Sequence, residues 1–158
     1  MAVTDQDSTE YAKIVAGTKL TPPEIQGRLR IAKVTFTQDG AGDANSTFEL
    51  TKLPAGLVTL LGPLSNLQHS AWGTGTTLDV GFGAYTNKDG TAVDADPDGL
   101  DDGLDVAAAG LKTLCTALSA TRLKTFDSVE GVVITAKAMV AGVPNDATLN
   151  GFLVYVVD

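Results

Sequence analysis

Arg30-Ile31-Ala32-Lys33-Val34-Thr35-Phe36-Thr37 alternates from Ala32 onward: Ala32, Val34 and Phe36 fall on one side, and Lys33, Thr35 and Thr37 on the other. Successive side chains of a strand point to opposite faces, so this stretch reads as a strand with one buried face. Thr47-Phe48-Glu49-Leu50-Thr51 repeats the pattern with Phe48 and Leu50 inward. Between the two, Gln38-Asp39-Gly40-Ala41-Gly42-Asp43 supplies residues that tolerate positive φ and predicts a turn.

Further along, Leu53-Pro54-Ala55-Gly56 interrupts, because proline cannot donate to a central ladder, and residues 57–61 resume as an apolar strand. Leu78, Val80 and Phe82 share one face, and Gly81 and Gly83 predict a bulge or a close approach. Val132, Ile134, Ala136 and Ala138 line one side of another strand, and Val143-Pro144-Asn145-Asp146 is a turn. Phe152-Leu153-Val154-Tyr155-Val156-Val157 is apolar throughout, as a central strand buried on both faces is. Seven or eight short strands spaced at roughly a dozen residues, with little helical pattern between them, predict an all-β sandwich or barrel.

Composition agrees. At 158 residues the chain reads as one domain, apolar residues reach 44%, and charged residues are only 19%. Twenty threonines and seventeen glycines suit pleated surfaces and turns. Residues 1–28 show no periodicity, and Pro22-Pro23 breaks any regular element there. They read as an irregular N-terminal arm leading into a sandwich domain over residues 29–158.

The net charge of −8, with arginine only at positions 28, 30 and 122, leaves no basic stripe. Binding to nucleic acid or to an anionic membrane is therefore not expected. The polar N-terminus lacks the apolar core of a signal peptide, and no apolar run is long enough to span a bilayer. A lone cysteine, Cys115, cannot form an internal disulfide and reads as a small apolar core residue. His69, beside Ser70 and near Trp72, has no orienting acid in sequence and reads as structural. Trp72 reads as core or interface. Gly73-Thr74-Gly75-Thr76-Thr77 lacks the lysine of a phosphate-binding loop and reads as a turn.

Residues 86–110, TNKDGTAVDADPDGLDDGLDVAAAG, break the strand pattern with seven aspartates and only Lys88 as a cation. Asp94, Asp96 and Asp98, followed by Gly99, match the opening of a calcium loop, with Asp102 and Asp105 at its later positions. Asp105 is shorter than the usual glutamate, Pro97 stiffens the loop, and no amphipathic helices flank it. Aspartate also bonds its own backbone in turns, and the segment reads first as a solvated loop, with calcium as the alternative. Val106 to Gly110 is compatible with one helical turn capped by Asp105, and residues 111–124 are open. No carboxylate pair, nucleophile or aromatic subsite is singled out, so no enzyme activity is expected and no catalytic residue is assigned.

Three patches in order, Leu53-Pro54-Ala55-Gly56, Gly73-Thr74-Gly75-Thr76-Thr77-Leu78-Asp79-Val80-Gly81, and the run Asp96-Pro97-Asp98-Gly99-Leu100-Asp101-Asp102-Gly103-Leu104-Asp105-Val106-Ala107-Ala108-Ala109-Gly110, resemble a group of small tailed-phage virion proteins. The resemblance spans residues 30–110. It implies a jelly-roll-like head decoration or cement protein, often a homotrimer, that caps capsomer junctions. The implied partner is the major capsid protein, on the surface of a virion made in the host bacterial cytoplasm. In that group the aspartate-rich segment is structural. The alternatives are another virion component, such as a tail or fibre base, or a calcium-dependent carbohydrate-binding β-sandwich using the aspartates with Trp72 and Tyr85.

Overall fold

The computed structural model of the protein describes Ala16 and residues 29–118 and 121–157. Apart from Ala16, the arm expected over residues 1–28 lies outside the described residues. Twelve strands follow one another: β1 (Leu29–Thr37), β2 (Thr47–Leu53), β3 (Gly56–Leu61), β4 (Asn66–His69), β5 (Thr77–Phe82), β6 (Tyr85–Thr86), β7 (Ala92–Val93), β8 (Asp96–Asp105), β9 (Gly110–Thr113), β10 (Leu123–Ser128), β11 (Val132–Met139) and β12 (Thr148–Val157). The described residues contain no α-helix, only a 3-10 turn at Gly62–Leu64.

Every pairing is antiparallel. One sheet runs β10-β3-β12-β4-β9 with β1 on the other side of β12, the second runs β2-β11-β5-β8, and β6 with β7 forms a small hairpin. Strands β3 and β4 lie along the same side of β12. Three residues of β12 separate Tyr155 from Phe152, whereas six separate their partners Leu60 and Asn66. The turn Gly62–Leu64 absorbs the excess. Across the sheet, β10 pairs with β3 and β9 with β4, so that the ladder is interrupted between Thr113 and Leu123 opposite that turn.

Setting the β6–β7 hairpin aside, and taking β3 with β4, and β9 with β10, as one interrupted strand each, leaves eight strands paired in a nested series. β1 pairs with β12, β2 with β11, β3 and β4 with β10 and β9, and β5 with β8. A long hairpin rolled over on itself in this way is a jelly roll. The all-β antiparallel sandwich expected from the alternation is what forms.

The core lies between the two sheets. Val34, Phe48, Leu53, Val58, Leu60, Leu67, Val80, Leu100, Phe126, Ile134 and Leu153 are all buried in it, with Ala32 and Phe36 of β1 packed against it. The residues chosen by alternation are thus the ones that face inward. Aromatic rings meet edge-on: Phe48 with Trp72 at 6.0 Å, and Phe82 with Phe126 at 5.2 Å. On β12, Leu149 and Leu153 join the core while Val154 and Val156, on the opposite face, are also buried. That is the two-faced burial expected of this strand.

Gly81 performs the close approach expected of it. A Cβ there would stand 2.0 Å from the Asp96 carbonyl oxygen, and the register between β5 and β8 shifts on both sides of Val80. Only glycine lets the bulged β8 lie against β5.

Two expectations need correction. The aspartate-rich segment is not a loop: Asp96–Asp105 is a ten-residue strand at the edge of the second sheet. No helical turn forms over residues 106–110. Val106 donates to the Thr76 carbonyl and accepts from the Trp72 amide, and residues 107–109 bend before Gly110 enters β9. Asp105 Oδ1 accepts the Ala107 amide at 2.9 Å, and so closes a turn instead of capping a helix.

Candidate functional site

The calcium candidates are spread out by the strand. Asp94 precedes β8 and is exposed, as are Asp98, Asp102 and Asp105, while Asp96 is half-buried at the strand's start. A calcium loop must curl so that alternate side chains converge on one point, whereas an extended strand rises roughly 3.3 Å per residue and carries them apart. Among the described residues no group of three or more acidic, histidine or cysteine side chains is arranged to hold a metal ion.

Asp96 and Asp98 do come together. Burial raises the Asp96 pKa above its ordinary value, and its hydrogen bond to Asp98 and that residue's charge push it further up, with Lys124 pulling the other way. Lys124 itself sits over the Phe82 ring, 4.8 Å from the centroid.

The aspartate that matters most to the fold lay outside the candidate set. Asp101 is completely buried. Its Oδ2 accepts the Cys115 amide at 2.7 Å, and its Oδ1 accepts the Thr116 amide at 2.6 Å together with the Thr116 hydroxyl. On the other side of the same turn, Arg122 donates to the carbonyl oxygens of Leu114 and Cys115. A carboxylate satisfying the amides and a guanidinium satisfying the carbonyls fix the turn after β9, where Cys115 takes a positive φ of 60°. The signal in the sequence is the adjacent pair Asp101-Asp102: in a strand, one of two neighbours must point inward.

Asp79 has a similar task, accepting the Gly103 amide at 2.8 Å where β8 bulges. Cys115 is buried, and desolvation followed by the nearby Asp101 charge pushes its thiol up to about 12. A thiol held protonated is a poor nucleophile.

His69 is buried with Nδ1 3.0 Å from the Ser70 carbonyl oxygen, while the Ser70 hydroxyl accepts the Thr148 amide. Both groups are engaged with backbone, and neither faces the other as base and nucleophile. Trp72 is 4% exposed against Phe48, so its ring has no face free for a sugar. Tyr85 lines an open cleft of about 330 Å³ with Lys52, Asp94 and Glu130. Burial, and then the Asp127 charge, raise its pKa. The cleft holds charges of both signs and no paired acid and base at bonding distance. Among the described residues the arrangement supports packing and surface contact.

The nested eight-strand order defines a jelly-roll sandwich of the kind found in viral capsids. The chain is similar in structure to a chain in the capsid of Ralstonia phage GP4, with a TM-score of 0.61, 23% identity, and coverage of 89% of this chain and 92% of that one. It is similarly related to a chain of the cyanophage Pam1 capsid asymmetric unit, with a TM-score of 0.59, 15% identity and full coverage of both. The infectious bursal disease virus protein of a VP2 subviral particle shares the fold at a TM-score of 0.54 and 13% identity, over 84% of this chain but only 33% of that longer one. At these identities the likeness is one of fold. No protein-family model matches the chain, and comparison with curated protein sequences finds no match.

Proposed function

We propose that the chain is a structural virion protein, a decoration or cement protein that binds the outside of a phage head and stabilises its capsomer junctions. The observation that carries this reading is the extent of the likeness. The two phage capsid chains are covered over 92% and 100% of their lengths, so they are small sandwiches of the same size. In the longer bursal disease virus protein the same sandwich is one third of the chain. A sandwich that spans nearly the whole of two phage capsid chains is suited to adding to a shell assembled from other chains. The partners in this reading are the major capsid protein and other copies of this chain, as a homotrimer. Its location is the capsid surface.

The mechanism needs no catalysis. A protein that binds only the assembled shell stabilises that state by mass action, in proportion to the interface it buries. Burial of Trp72 in the core takes away one of the two rings on which a carbohydrate-binding reading relies, leaving Tyr85 at the edge of an open cleft. A place in the tail or fibre base uses the same fold, and fractionating heads from tails separates the two.

The test is reconstitution. Added to heads stripped of it, the protein binds to saturation and raises the temperature at which they release their contents. Removing residues 1–20 leaves a folded domain with weaker occupancy. Failure of the full chain to bind heads overturns the decoration role, and unchanged occupancy of the truncated chain overturns the part given to the arm.

A further inference from the structure

Large apolar side chains that remain exposed are not scattered over this sandwich. Eight described ones are more than a third exposed, and five of them, Leu29, Ile31, Leu111, Leu123 and Phe152, sit on the outer face of the six-stranded sheet. Their direction follows from alternation and register. Ala32, Val34 and Phe36 face the core, which turns Leu29 and Ile31 outward. Ile31 stands opposite Val154 and Leu29 opposite Val156, the two β12 valines that are buried without joining the core. Phe152 stands opposite Lys33, and Leu111 opposite Gln68 on the same side. Leu29, Ile31 and Phe152 thus cluster along β1 and β12, whereas Leu111 stands apart in a row with Gln68 and Asn150. A cluster of exposed apolar residues marks an interaction site, whereas single ones do not.

Charge selects the occupant. Across the outward positions of all six strands of this sheet, Lys33 and Asp127 are the only charged side chains, the remainder being apolar or neutral Thr, Asn and Gln. The outward face of the other sheet carries Glu49, Lys137 and Asp79. Two chains that each carry a net charge of −8 repel one another unless they meet where charge is sparse. Moreover, among the described residues β1 pairs only with β12, and its other edge borders the same apolar face.

We propose that the outer face of the β1–β12 end of this sheet is the surface through which copies of this chain associate. The inference rests on the reading of the protein as self-associating and names the surface used. Sedimentation velocity of the full chain across a wide concentration range tests it. The wild type sediments as a discrete oligomer. Leu29→Glu and Ile31→Glu lose the oligomer and sediment as folded monomers, while Val140→Glu, at an exposed apolar site away from this sheet, keeps it. Should the face variants fail to fold, amide exchange on the wild type decides: β1 amides gain protection as concentration rises, and β8 amides do not. A wild type that stays monomeric overturns the proposal, as do face variants that keep the oligomer or β1 protection that is independent of concentration, which would indicate cover by the chain's own residues. An oligomer that forms through this face yet ignores heads leaves the inference standing and removes the decoration role. Binding to heads as a monomer does the reverse.

Discussion

Asp96 shows how a single carboxyl can oppose the fold at neutral pH. Its half-buried position and the neighbouring Asp98 both disfavour its charged form, so its pKa in the folded chain stands above the unfolded value of about 3.9. Between those two values the folded state holds the proton more tightly than the unfolded state does. Its contribution to stability is therefore full below the unfolded pKa, and it is lost as pH rises through the folded one. Asp98→Asn removes the like charge, leaving burial as the main cause of the shift. The Asp96 titration followed by carboxyl-carbon NMR then moves down toward the ordinary range without reaching it. Over the same window the urea midpoint of the variant falls less with rising pH than that of the wild type. An unmoved Asp96 titration in Asp98→Asn contradicts the pairing.

At the scale of the element, β8 separates what its sequence displays from what its position requires. Strands β1 and β11 are legible because one face meets the core and the other meets water, so apolar and polar residues alternate as the pleat does. In Asp96–Asp105 only Leu100 and Leu104 offer apolar contact, and glycines and aspartates fill the rest, which reads as a loop by composition. The strand forms because Asp101 completes a turn of another segment and Gly81 opens a place for the bulge. Both interactions join residues distant in sequence, and a calcium-loop template that takes Asp94, Asp96, Asp98, Asp102 and Asp105 passes over Asp101. Asp101→Asn keeps the shape but presents an amide nitrogen to one of the two backbone donors. Leaving a buried donor facing another, and losing charge-assisted bonds, costs on the order of 3 kcal/mol. For a chain of this length that corresponds to a melting temperature lower by about 6–12 °C. Scanning calorimetry measures it, and a change within about 1 °C denies Asp101 its part in holding the turn.

The whole molecule is a nested roll, and nesting sets how it can form. Strands β1 and β12 lie at opposite ends of the described chain, and partners such as Leu29 and Val156 are separated by more than a hundred residues. β2 with β11 spans most of that distance again, and only β5 with β8 is close in sequence. Each outer pair closes a longer loop than the one inside it, and that entropy is lost before the pair's hydrogen bonds and packing compensate. With no α-helix among the described residues, local structure offers little early stabilisation. Refolding after a urea jump is expected on the millisecond-to-second scale of non-local β-sandwiches, far slower than the microseconds open to helical bundles. Trp72 is the natural probe, as the single tryptophan, buried against Phe48 of β2 and bonded through its amide to Val106 beyond β8. Its fluorescence reports the joining of the innermost pair to one of the outer ones. If β5 and β8 close first and the outer pairs follow, destabilising the innermost pair with Gly81→Ala slows refolding more than it speeds unfolding. A variant that changes only the unfolding rate places that pair late, and the roll would then close from its ends inward.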